Sequence, residues 1–80
     1  MEIKELTFEQ LEALILTLVK EYDKEGVDSK GKVDIYSKLA QIHMTAIQRK
    51  QLANGREAEK WKELQKKAFN CLIDLCQKSG

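Results

Sequence analysis

Three residues of this chain carry side chains that do chemistry in the right company: His43, Cys71 and Cys76. A structural zinc site wants a closed set of about four such ligands, and two cysteines with one distant histidine fall short of it. A Cys–His nucleophile would need a thiol to meet His43 across the fold and a third group to orient the imidazole. The sequence offers no evident orienting group. Cys71 and Cys76 stand about 140° apart around a helix, so they cannot bridge each other without unwinding it. As free thiols on an apolar face they read as small hydrophobes in a reducing compartment. His43 shares a helical stripe with Tyr36 and Ile47 and reads as a core or boundary histidine.

The carboxylates offer no more. Those of the first helical segment lack the Glu-x-x-His spacing of metal-binding bundles. A calcium loop starting at Asp23 would place Val27 where an oxygen ligand is required, Asp28 where glycine is required, and the short Asp34 where a bidentate Glu is required. Lys24, Lys30 and Lys32 would also repel the ion. Gly26 and Gly31 build no phosphate-binding loop. The sequence therefore assigns no catalytic residue, no metal ligand and no cofactor, and a non-enzyme is expected.

The elements that position these residues are helical. The chain has no proline, and Gly26, Gly31 and Gly55 divide it into three segments of helical length. The first helix is expected over about 8–24. Thr7 and Gln10 form a capping box there, and Leu6 staples onto Leu11. Its apolar arc runs about 200° around the helix from Leu14 to Leu16, and Glu12 lies inside it, marking a polar contact or an interface edge. After a polar linker over 24–33, the second helix is expected over about 33–53, with Asp34 as its N-cap. It carries two adjacent stripes, Ile35, Leu39, Ile42 and Ala46 beside Tyr36, Ala40, His43 and Ile47. So broad an arc suggests a central helix touching both neighbours.

The third helix, over about 56–77, faces inward with Trp61, Leu64, Ala68, Cys71, Leu72 and Leu75, widened by Phe69 and Cys76. Between the last two helices, Asn54-Gly55 makes a corner. Either Gly55 turns left-handed, or Asn54 caps the third helix with Glu57 at N3. The corner fails the packing pattern of a DNA-reading helix-turn-helix. Gln51 stands where a small residue is needed, Arg56 where an apolar one is needed, and Glu57 and Glu59 would face phosphate. The whole predicts an all-α, small antiparallel three-helix bundle forming a single domain over 1–80.

Composition narrows the function without naming it. The chain has 80 residues, 42% hydrophobic and 34% charged, with a net charge of +1. Residues 1–28 hold three lysines against eight acids, a net of −5, and the remainder balances this with +6. The longest apolar run, Ala13 to Val19, is broken by Thr17 and is far short of the about 20 residues of a membrane span. The opening MEIKEL lacks the basic and apolar regions of a signal peptide, so cytoplasmic residence is expected and no membrane contact.

Two readings of the surface follow. The first is a small protein–protein interaction module, an inhibitor, immunity-type or adaptor protein of bacterial or phage character. It would bind another protein or itself as a homodimer through apolar residues left off the core faces, namely Leu16, Met44 and Leu52. The alternative is a nucleic-acid-binding regulator using a basic surface of Arg49, Lys50, Arg56, Lys60 and Lys66, with salt-sensitive, sequence-independent affinity. Against it, Glu57, Glu59 and Glu63 are spaced to neutralise the third helix's own lysines at i,i+3 and i,i+4.

Overall fold

The computed structural model describes residues 2–24 and 26–79, with side chains through Gln77. After a 3-10 turn over Ile3–Glu5 come three helices: α1 (Phe8–Tyr22), α2 (Ser29–Leu52) and α3 (Arg56–Ser79). The arrangement is the expected all-α three-helix bundle. α1 opens on the expected capping box. Thr7 N–H donates to Gln10 Oε1 at 2.9 Å, and Gln10 N–H donates to Thr7 Oγ1 at 3.2 Å. These two bonds satisfy donors that the first helical turn leaves orphaned.

α2 begins earlier than the sequence suggests. Its first residue is Ser29 and its cap is Asp28, whose carboxylate accepts the Gly31 N–H at 2.8 Å, so Asp34 lies a full turn inside. A strong N-cap outweighs the modest penalty of a glycine within a helix, about 1 kcal/mol against alanine. The linker shrinks to a short turn in which Gly26 takes φ 90°. At the other corner α2 stops at Leu52. Gly55 adopts φ 59°, and its carbonyl accepts the Glu59 N–H, so the glycine sets the start of α3. A left-handed turn at that position is low in strain only for glycine.

Contacts at both ends fix the helix directions. Phe8 meets Trp61 edge-on, with ring centroids 5.3 Å apart, which joins the starts of α1 and α3. The Tyr22 hydroxyl donates to the Leu75 carbonyl at 3.4 Å, joining their far ends. α2 runs antiparallel to both, and Arg49 near its C-terminal end donates from Nη1 to the Leu6 carbonyl at 2.7 Å and from Nη2 to the Lys4 carbonyl. The core between the helices is apolar. Leu11, Ile15, Leu39, Ile42, Leu64 and Leu75 are fully buried, each contributing about 1.5–3 kcal/mol of transfer free energy. α1 has 15 residues against 24 in each partner, and the bundle measures 42 × 26 × 15 Å. So thin a molecule has α1 lying over one side of a longer α2–α3 hairpin, and nothing among the described residues lies over the other.

Candidate functional site

The stripe that the sequence placed against a second neighbour is the one left in the open. On α2, Ile35, Leu39, Ile42 and Ala46 are all buried. In the adjacent stripe Tyr36 is exposed, while Ala40, His43 and Ile47 are only half-buried. The reason is geometric. α1 and α3 both pack on the side of α2 that carries the first stripe, and the second stripe lies towards the edge of that contact. His43 instead stacks on Phe69 of α3, with ring centroids 5.5 Å apart and planes inclined by 30°. That contact ties the second stripe of α2 to the outer edge of α3, where Phe69 is 47% and Ile73 40% exposed.

At 100° per residue, Val33, Tyr36, His43 and Ile47 fall within about 80° on α2. Phe69 and Ile73 stand on the matching edge of α3. These six residues form one strip along the outside of the hairpin, with Val33 68% exposed at one end. Lys32 flanks the Val33 end, Lys50 and Lys62 stand at the other, and no carboxylate falls within the strip. Six apolar or aromatic side chains contiguous across two helices exceed the scattered exposed hydrophobes normal for a small protein.

The three apolar residues singled out from sequence are exposed but not gathered. Leu16 stands about 160° around α1 from Leu14, on the side away from α2. Met44 lines an open groove of about 920 Å³ between the 3-10 turn, α1 and α2, alongside Leu14, Gln41 and Gln48. Leu52 is the last residue of α2 and is 86% exposed. The better set was legible, because the doubled stripe of α2 was visible at helical spacing. α2 does touch both neighbours, as its broad arc suggested, and His43 of the second stripe reaches α3 through Phe69.

The basic residues also disperse. Besides its two hydrogen bonds, Arg49 lies over the Trp61 ring at 5.0 Å, and Lys60 lies over Phe8 at 4.5 Å. Both cations serve the fold itself. Lys66 borders a small cleft between α1 and α3, Arg56 is exposed at the start of α3, and Lys50 is half-buried at the hairpin's seam. Among the described residues Glu57, Glu59 and Glu63 make no ion pair with the lysines of α3. Among the described residues the ion pairs are Lys4–Glu2, Lys38–Asp34 and Lys67–Glu12. The last, at 3.4 Å, explains Glu12 within the apolar arc of α1, since it reaches across to α3.

Chemistry of other kinds finds little purchase. Among the described residues no group of three or more His, Cys, Asp or Glu could hold a metal ion. Cys71 and Cys76 form no disulfide. Burial pushes the Cys71 thiol up, the negative Asp74 pushes it further, and Lys67 opposes them weakly. A thiol so placed is a poor nucleophile, because the thiolate is the reactive form. No described helix is long and apolar enough to cross a membrane.

No family model matches the chain, and neither curated proteins nor solved structures give a match.

Proposed function

We propose that this chain is a cytoplasmic, non-catalytic protein–protein interaction module that works through the uncovered face of its α2–α3 hairpin. One observation carries the reading, namely the strip of Val33, Tyr36, His43, Ile47, Phe69 and Ile73, where the other exposed large apolar residues, Leu16, Met44 and Leu52, stand apart from it. Leaving such a strip in water forgoes several kcal/mol at about 25 cal/mol per Å² of apolar surface, and covering it with a partner recovers that energy. Inhibitors, immunity-type proteins and adaptors work in this way, by presenting a surface. The nucleic-acid alternative is weakened because Arg49 and Lys60 serve internal contacts.

A photo-crosslinking residue tests the reading at two positions in turn. Placed at Ile73, it should couple the chain to protein inside cells that express it, and placed at Leu16 it should not. Equal coupling at both sites, or none at Ile73, would remove the strip from consideration. Coupling to nucleic acid instead, lost as salt rises, would favour the basic-surface alternative.

A further inference from the structure

Asn54 and Gly55 lie in the short link between α2 and α3, outside both helices, and both are exposed. We infer that this pair is a site of spontaneous covalent modification, at which the Asn54 side chain closes onto the Gly55 backbone nitrogen and its amide is converted to a carboxylate.

The conversion is a ring closure followed by hydrolysis. Gly55 N gives its proton to a solvent base, and its electron pair attacks Asn54 Cγ. The Cγ–Nδ2 bond then breaks, Nδ2 takes up a proton and leaves as ammonia, and a succinimide ring remains. Water opens the ring at either carbonyl. Attack at Cγ gives an ordinary aspartyl residue. Attack at the main-chain carbonyl carbon of Asn54 gives an isoaspartyl residue, in which the chain runs through the side-chain methylene. Nothing is oxidised or reduced, and water is the sole co-reactant.

The corner meets each demand of this ring closure. The attacking nitrogen must be free to lose its proton and to turn towards Cγ, and among the described residues the Gly55 N–H has no hydrogen-bond partner. The Asn54 side chain caps nothing and makes no hydrogen bond, so no contact holds it away from that nitrogen. A side chain on the attacking residue would crowd the approach. Gly55 has none, and nothing lies within 4 Å of where a Cβ would stand, so solvent base reaches the site. Negative charge develops first on the nitrogen and then on the Cγ oxygen. It does so at the N-terminal end of α3, where the helix dipole favours it.

Asn70, the other asparagine, supplies the contrast within the chain. It is exposed as well, but it lies inside α3 and is followed by the half-buried Cys71. Within a helix the next residue's N–H is committed to a carbonyl one turn back, and the backbone is fixed. Ring closure there has to wait for the helix to open locally. Conversion at Asn54 adds a negative charge beside Arg56. In the isoaspartyl form it also adds one main-chain carbon to the link that joins the two long helices.

Incubation of the full chain at mildly alkaline pH, followed by tryptic mapping, tests the site. Cleavage after Lys50, Arg56, Lys67 and Lys78 isolates Asn54 within residues 51–56 and Asn70 within residues 68–78. In the folded chain Asn54 should convert within about tenfold of its rate in guanidinium chloride, because an exposed corner opens at little cost, while Asn70 should be slowed by more than that. Aspartyl and isoaspartyl peptides should appear together. Asn54→Gln, whose ring would need one atom more, should leave residues 51–56 unchanged over the same period. An Asn54 slowed by the fold more than about tenfold overturns the site. So does an Asn70 no better protected than Asn54, since the backbone would then decide nothing. The aspartyl product alone, or conversion of the Asn54→Gln chain at the parent's rate, would mean direct hydrolysis of the amide and would overturn the ring closure.

Discussion

On one side of the α2–α3 hairpin, Leu39, Ile42, Leu64 and Ala68 are sealed beneath α1. On the other, Tyr36, Ile47, Phe69 and Ile73 have similar apolar character and are only partly covered from within the chain. The same two helices supply both faces, so helix propensity and composition do not separate them. What separates them is the length and position of α1. Its 15 residues lie along one side of the hairpin, anchored at the start by Phe8 on Trp61 and at the end by Tyr22 on Leu75. A side chain under α1 contributes to the stability of the protomer. One on the outer face contributes very little to the stability of the protomer.

The largest expected effect breaks the comparison at its covered side. Leu64→Ala should cost about 2–5 kcal/mol by leaving a cavity in a packed core. Ile73→Ala, on the open face, should cost well under half of that in dilute solution. Thermal melts of the two variants at low concentration would check it, since each kcal/mol moves the midpoint by about 4–8 °C in a domain of this size.

Next comes the clamp that holds the N-terminal turn against the covered side. Arg49→Ala removes two charge-assisted hydrogen bonds and a cation–π contact, a loss of about 2–3 kcal/mol. Arg49→Lys should recover only part of it, because an ammonium lacks the planar fork that reaches both carbonyls. Urea denaturation of the three chains would show the order.

The seam between the faces gives a smaller effect of opposite sign. Gln65 Oε1 is buried without a hydrogen-bond partner. Gln65→Met should therefore raise stability by about 1 kcal/mol, removing an unsatisfied acceptor while keeping the length of the side chain. A lower denaturation midpoint would mean that the acceptor is satisfied in solution.

The smallest effect concerns the two thiols, which report on the two faces separately. Cys71, half-buried on the α1 side with its pKa raised by burial and by Asp74, should react with iodoacetamide at least several-fold more slowly than the exposed Cys76. The raised value means that the fold prefers the neutral thiol. The sign follows: this contribution to stability is intact below the thiol's unfolded pKa and is lost as pH climbs through the higher folded value. Mass mapping of labelled peptides over time would measure both rates.

Much of the fold was legible in the residues. Thr7 and Gln10 announced the start of α1, Gly55 announced the corner, and helical spacing named nearly every core side chain of α2 and α3. The start of α2 was misread because Gly31 looked like a breaker, while the cap that decides it, Asp28, stood just upstream. The candidate surface was half legible. Periodicity showed that α2 has two apolar stripes, but a period says nothing about how far a neighbouring helix reaches. Leu16, Met44 and Leu52 were read as exposed, and they are. Three off-face residues on a wheel carry no information about whether their helices turn them towards one another. The fate of Arg49 lay outside periodicity altogether, because its partners are backbone carbonyls 43 and 45 residues away.

The central claim is that the outer face of the hairpin is where this protein associates. Solvent paramagnetic relaxation tests it most directly, reading the methyl groups of Val33, Ile47 and Ile73 against those of Leu16 and Leu52 with a soluble gadolinium chelate. All five are expected to be relaxed in the isolated protein, and adding soluble extract of cells that express the chain is expected to shield the first three while the last two stay accessible. Strip methyls that stay as accessible as Leu16 in that extract, or shielding that falls on Leu16 and Leu52 instead, would contradict it.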